Sequence, residues 1–385
     1  MKTVEVAAMK IAMIGHKRIP TRSGGVEVVV EELSTRLAEK GNAVTVYNRY
    51  CGEEKQKEYH KVKVVEVRTF KNPSLNAMVY SFFATLLCIL KRYDVVHYHA
   101  EGPCAMIPLA KLFGKKVVAT IHGLDWQRNK WGGFASKYIL FGEKMAAKYA
   151  DKVIVLSQNV KNYFKETYNC DAVFVPNGIV PVTQEQPEMI KQQFGLEKDG
   201  YLLFLARITP EKGLDYLLDA YKSLHTDKKL VIAGSIAPET DYIRAVKEKA
   251  KDSENILFTD FVSGKALAEL FSNCYVYILP SDIEGMPMSL LEAVGYDARV
   301  IVSDIPENMD CLDGYGNSFA HGNAESLKEI LEYCLAHAEL KDCDFKENAS
   351  AEQTQRKRES LIQKYDWDNI TDQTLELYKS VQSKK

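Results

Sequence analysis

Two glutamates eight positions apart, Glu284 and Glu292, lie in Ser281-Asp282-Ile283-Glu284-Gly285-Met286-Pro287-Met288-Ser289-Leu290-Leu291-Glu292. The charge-free run Tyr275–Leu279 before them reads as a buried strand. Gly285 lets the backbone approach a ligand closely, and Pro287 suits the first turn of a helix, where its missing N–H costs nothing. The layout is strand, acidic loop and helix start, which is where open α/β sheets hold ligands. Carboxylates there could accept hydrogen bonds from a polyhydroxylated ligand. Alternatively, they only complement the helix dipole.

Three further stretches carry chemistry. Arg207-Ile208-Thr209-Pro210-Glu211-Lys212-Gly213 leaves a strand end and enters a helix with two cations five positions apart. Arg forks onto phosphate oxygens, whereas Lys acts as a point charge. Gly24-Gly25 opens a helix after a loop bearing Lys17, Arg18 and Arg22, which suits an anion at the helix N-terminus. Neither the dinucleotide fingerprint nor the P-loop spacing is present. His122 closes a strand at its carboxyl edge, while His16, His97 and His99 are less well placed. No histidine spacing points to a metal. A surface turn, a glycine turn and a core histidine are the ordinary alternatives for these three. Together, basic and dipolar groups would hold a diphosphate and carboxylates would hold sugar hydroxyls, which describes a nucleotide-sugar.

The elements that must position these residues alternate. Strands are expected at 10–15, 43–47, 63–67, 94–99, 116–121, 152–156 and 173–175, with helices between them. Pro176-Asn177-Gly178-Ile179-Val180-Pro181 breaks the series and reads as a linker. Strands at 201–206, 229–233, 256–259, 275–279 and 299–302 then resume it. The expectation is an α/β protein of two Rossmann-like, doubly wound parallel-sheet domains facing a central cleft. The first covers residues 1–180 and the second 181–366, and a last helix at 367–381 packs back on the first.

A chain of 385 residues with 46% hydrophobic and 26% charged content fits a two-domain globular protein. The first residues lack the pattern of a signal peptide, and eight scattered cysteines without a C-x-x-C pair indicate neither zinc nor a disulfide framework. A cytoplasmic protein is expected. Residues 1–180 hold 27 Lys/Arg against 16 Asp/Glu, leaving 23 against 36 for the remainder. This asymmetry points the first half toward an anionic partner, or toward the second half. Nucleic acid is not expected, because no basic helix or aromatic platform matches such a module. The apolar run Ser74–Leu90 is slightly short for a membrane span and reads as a crossover helix on a sheet, with a helix lying on a membrane surface as the alternative.

Taken together, these motifs resemble the retaining glycosyltransferases of family 4, of GT-B fold. They are E-x7-E at Glu284 and Glu292, R-x4-K at Arg207 and Lys212, G-G-V-E at Gly24, and P-N-G-I at Pro176. The first domain, with G-H-K-R-I-P-T-R-S-G-G-V-E and H-G-L-D-W-Q-R, is similar to a bacterial subgroup that builds capsule, exopolysaccharide or cell-wall glycans and includes rhamnosyltransferases. The resemblance implies that Arg207 and Lys212 bind the donor diphosphate, capped by the Gly24-Gly25 helix start. Glu284 would hold hydroxyls of the transferred sugar beside backbone N–H groups of Gly285, Met286, Pro287 and Met288 (Pro287 itself having none), and Glu292 the ribose. His122 would face the transferred sugar, and Asp125 would help position the acceptor. After E-A the chain departs from the family pattern, with Val294-Gly295-Tyr296-Asp297.

The expected reaction is front-face, retaining transfer of a hexose or deoxyhexose from a UDP-sugar or dTDP-rhamnose, without metal or cofactor. The aromatic-basic stretch with Trp126, Arg128 and Trp131 points to a lipid-diphosphate saccharide acceptor at an anionic inner membrane face. A nucleotide-sugar epimerase and a non-catalytic nucleotide-sugar sensor are the alternatives.

Overall fold

The structure is a computed structural model that describes residues 8–21, 24–50, 52, 55–70, 73–127, 133–337 and 351–383. The chain forms two compact units, Met1–Gly178 with Trp367–Lys385, and Ile179–Asp366.

The first unit is built on eight strands: β1 (Lys10–Ile14), β2 (Ala43–Tyr50), β3 (Glu58–Tyr59), β4 (Val62–Arg68), β5 (Val95–His99), β6 (Val117–Ile121), β7 (Lys152–Val155) and β8 (Val173–Phe174). Their order in the sheet is β3-β4-β2-β1-β5-β6-β7-β8. All pairs are parallel except β3 with β4. The antiparallel edge is an addition to the expected all-parallel sheet; two residues are too few to show a period. Strands β5 and β6 are buried at every position, as central strands of a sheet covered on both faces must be.

Its helices are α1 (Gly25–Glu39), α2 (Pro73–Ile89), α3 (Glu101–Cys104), α4 (Ile107–Leu112), α5 (Gly133–Tyr149) and α6 (Gln158–Tyr168). Right-handed crossovers send α1 to one face, because β1 to β2 runs one way along the sheet, and α2, α4, α5 and α6 to the other. Accordingly α4 packs against both α2 and α5. The apolar run near 74–90 is therefore a crossover helix. It buries Tyr80, Ala84 and Cys88, one every four residues, in a core shared with Ile14, Val96 and Ile121.

The second unit holds six parallel strands: β9 (Tyr201–Leu205), β10 (Lys229–Ala233), β11 (Ile256–Asp260), β12 (Val276–Leu279), β13 (Val300–Ser303) and β14 (Asn317–Phe319). They are ordered β11-β10-β9-β12-β13-β14. The helices are α7 (Met189–Phe194), α8 (Leu214–Lys222), α9 (Asp241–Ala250), α10 (Gly264–Asn273), α11 (Met288–Gly295), α12 (Pro306–Leu312), α13 (Ala324–Ala336) and α14 (Ala351–Lys364). Leu202, Phe204, Leu217, Ile232, Ile278 and Leu331 anchor its core. Short β14 and helices α7, α12, α13 and α14 go beyond the elements read from periodicity.

The last helix, α15 (Trp367–Gln382), belongs to the first unit and packs on α1. Arg36 lies over the Trp367 ring, Lys40 pairs with Asp372 at 2.8 Å, and the Tyr378 hydroxyl meets His97 Nδ1 at 2.7 Å. Among the described residues, no helix is long and apolar enough to cross a membrane.

Candidate active site

In the second unit, strand order reverses between β9 and β12, and the loops leaving these two neighbours carry Arg207–Gly213 and Ser281–Pro287. A sheet opens a crevice at such a switch point. Gly213 brings the two loops together. It has φ of +65°, and a Cβ there would lie 1.9 Å from the Pro280 carbonyl oxygen, so only glycine fits. The Asp282 N–H donates to the Glu211 carbonyl at 2.9 Å, a second tie between the loops.

Across this junction Lys212 Nζ and Glu284 Oε1 lie 2.5 Å apart, with side chains 14% and 6% exposed. The Ser281 hydroxyl donates to the same oxygen at 2.7 Å. The cation expected on a diphosphate and the carboxylate expected on sugar hydroxyls therefore form one unit. Arg207 is exposed, and no carboxylate among the described residues pairs with it. Gly285, Met286 and Pro287 are buried; Pro287, expected in the first turn of the helix, is instead the N-cap of α11, and Met288 begins that helix. Glu292 lies half-buried on α11, one turn beyond Met288.

In the first unit the corresponding reversal falls between β1 and β5. Gly15 follows β1 at φ of +127°, and a Cβ there would lie 2.0 Å from the His99 carbonyl oxygen. This close approach gathers the histidines. His99 Nδ1 lies 3.2 Å from His122 Nε2, and the His97 ring packs on His99 with centroids 4.0 Å apart. His97 is held by Tyr378 and Thr120, both at 2.7 Å, and His16 by Asn48 at 2.9 Å. Burial pushes His16 down to about 4 and His97 to about 3, and holds His99 well below the ordinary histidine value. His122 is thus backed by a buried, neutral imidazole that its spacing in sequence did not single out. The signal was there, in H-Y-H on one strand and His122 on its neighbour.

Gly24 is the N-cap of α1, which Gly25 begins. The expected loop donors are engaged: the N–H groups of Lys17, Ile19 and Thr21 donate to Glu27, Asn48 and Glu31. The second Glu27 oxygen lies 2.3 Å from where a Gly24 Cβ would sit, so a carboxylate already rests at this helix start.

Residues 23–182 match the Glycosyltransferase Family 4 domain and residues 185–352 the Glycosyl transferases group 1 domain. The chain is a GT-B glycosyltransferase of this two-domain family. An uncharacterised glycosyltransferase of Methanocaldococcus jannaschii is 26% identical, covering 96% of this chain and 98% of the relative. The O-antigen biosynthesis glycosyltransferase WclY of Escherichia coli is 26% identical over 63% of this chain and 70% of its own. Among solved structures, Anabaena HepE in complex with UDP and glucose superposes with a TM-score of 0.78 at 17% identity, covering 97% of this chain and all of that one.

In this glycosyltransferase the departure Val294-Gly295-Tyr296-Asp297 ends α11. Arg358 of α14 donates to the Val294 and Gly295 carbonyls at 2.9 and 2.7 Å and pairs with Asp297 at 3.0 Å. Tyr296 stacks on Phe271. These residues cap a helix end and pack it, and Glu292 lies on the turn before them. Asp125 and Trp126 sit in a short 3-10 turn after β6, where the Asp125 N–H donates to buried Glu101 at 2.9 Å. Trp126 packs, partly buried, against the first unit's core. Arg128 and Trp131 lie outside the described residues.

Proposed function

We propose that this glycosyltransferase moves a hexose or deoxyhexose from a nucleotide-diphosphate-sugar, a UDP-sugar or dTDP-rhamnose, to a saccharide acceptor with retention of configuration. The observation that carries the reading is the paired loop structure at the β9–β12 switch point, where one loop carries Lys212 and the exposed Arg207, and Lys212 pairs with Glu284 of the other. Arg207 and Lys212 take the diphosphate, Glu284 the transferred sugar's hydroxyls and Glu292 the ribose. His122 faces the transferred sugar, and Gly24-Gly25 contributes first-turn amides.

As the sugar–phosphate bond breaks, negative charge grows on the leaving diphosphate. Preorganised donors at that charge are worth about 3–4 kcal/mol each. Arg207 and Lys212 supply such donors, so the reaction needs no divalent ion. Glu284 is committed to Lys212 and Ser281 through one oxygen, which suits a ligand of hydroxyls better than a nucleophile. Front-face attack follows, with the leaving phosphate taking the acceptor's proton.

The acceptor in this reading is a lipid-diphosphate saccharide used in cell-surface polysaccharide synthesis, met at the inner membrane face. The O-antigen role in the name of the Escherichia coli relative supports that choice. A thermal-shift screen of nucleotide-sugars, followed by nucleotide release with candidate acceptors, tests the function. Stabilisation by one donor and acceptor-dependent release are expected. Conversion of donor without acceptor would instead identify an epimerase.

A further inference from the structure

A surface helix normally turns a polar row to water. Helix α2 does not: Phe82, Phe83 and Leu87 lie exposed along its outer side, and Leu90 just beyond its end is 82% exposed. The same layer continues the pattern, with Leu112 and Phe113 exposed at the end of α4. On α5 the exposed positions Phe134, Lys137, Phe141, Lys144 and Lys148 follow one another at spacings of three and four, forming a single row. Of twelve large apolar side chains exposed among the described residues, nine belong to these three helices or their ends. Charge is as one-sided as the apolarity. The acidic residues of 73–149 are Asp94, Glu101, Asp125 and Glu143, and none is exposed. Lys91, Arg92, Lys137, Lys144 and Lys148 all are.

We propose that this outer layer, formed by α2, the end of α4, and α5, docks the chain on an anionic phospholipid bilayer. Exposed aromatic and leucine side chains enter the boundary between headgroups and acyl chains, while the lysine stems lie along that boundary with their ammonium groups among the phosphates. A second copy is a poorer occupant, because a two-fold pairing of this face sets lysine rows against each other. Nucleic acid would leave the Phe and Leu side chains uncovered. The layer lies on the membrane and does not span it, since no described helix is long and apolar enough to cross. The inference deepens the lipid-linked acceptor reading by naming the surface and the lipid chemistry.

Co-sedimentation of the full chain with phosphatidylcholine vesicles, with and without phosphatidylglycerol, tests it. Binding is expected only with phosphatidylglycerol, and salt should weaken it. Lys144→Ala and Lys148→Ala should each lower the partition coefficient about fivefold. Phe83→Ser with Leu90→Ser should lower it further, with an unchanged unfolding midpoint because these side chains are exposed. No pelleting with anionic vesicles overturns the proposal. So does undiminished binding by both sets of variants, or a self-association of the chain that the same substitutions abolish. The acceptor reading fails separately: a chain that binds vesicles through this face but transfers only to water-soluble saccharides refutes the acceptor and leaves the surface standing.

Discussion

Lys212 and Glu284 hold one another at 2.5 Å across the junction of two loops that are 72 residues apart in sequence. In the proposed reaction a bound diphosphate would compete for this lysine, and sugar hydroxyls for this glutamate, so donor binding would exchange an internal ion pair for two ligand contacts. Lys212→Ala removes the cation and leaves a buried carboxylate with Ser281. Turnover is expected to fall by about 10²–10³, the loss typical of one transition-state charge donor. Stability should fall by about 3 kcal/mol, because one partner of a mostly buried pair remains. Glu284→Gln should raise KM for the donor as well as lower turnover. Near-normal turnover in Lys212→Ala would refute the assignment.

Gly213 separates geometry from chemistry. Gly213→Ala places a methyl against the Pro280 carbonyl and forces the loops apart. A Cβ at Gly41, also at positive φ, meets nothing within 4 Å. Gly41→Ala should cost only backbone strain, about 1–2 kcal/mol. Gly213→Ala should cost more and should also abolish nucleotide-dependent stabilisation in a thermal-shift assay. Equal effects of the two substitutions would remove the loop junction from the site.

Much of this was legible in the sequence because periodicity and turn residues report local structure. Alternating apolar runs located the central strands, and the loop residues Arg207, Lys212 and Glu284 all fell at strand ends. What was not legible depends on contacts distant in sequence. Ser281 gave no sign of holding Glu284, nor Glu27 of lying against Gly24. The grouping of His16, His97, His99 and His122 requires the strand order β1-β5-β6, which no local pattern encodes. Elements β3 and β14 are too short to carry a period.

Transfer should proceed undiminished in excess chelator, since Arg207 and Lys212 are assigned to the leaving diphosphate. The measurement is nucleotide release with and without EDTA after prior dialysis. A loss restored by magnesium or manganese would refute the metal-free reading.

In the proposed reaction His99 would act through His122. The two nitrogens 3.2 Å apart share a hydrogen bond whose proton sits on one ring or the other, so the tautomers of His99 and His122 are coupled. His99→Leu should cost about tenfold in turnover, the equivalent of one buried hydrogen bond left unmade. Stabilisation by the nucleotide alone should not change. A parallel loss of nucleotide binding would make His99 merely structural.

The buried histidines also set a pH dependence of stability. His16 at about 4, His97 at about 3 and His99 well below its ordinary value stay neutral in the fold, while an unfolded chain protonates each near 6.5. Below that value the unfolded state binds more protons, so stability falls as pH falls. Each histidine contributes a slope of up to about 1.4 kcal/mol per pH unit. The loss continues until the folded value is reached, near 4 for His16 and near 3 for His97. Buried Glu101, raised well above the usual carboxylate range, opposes this trend, because its unfolded state releases a proton that the fold retains. The histidine share is therefore read as a difference. Urea unfolding between about pH 7 and pH 5 should show a shallower slope for His97→Gln than for the unaltered chain, by up to about 1.4 kcal/mol per unit. Parallel slopes would mean that His97 titrates alike in both states, and that the tight Tyr378–His97–Thr120 chain does not keep its imidazole neutral.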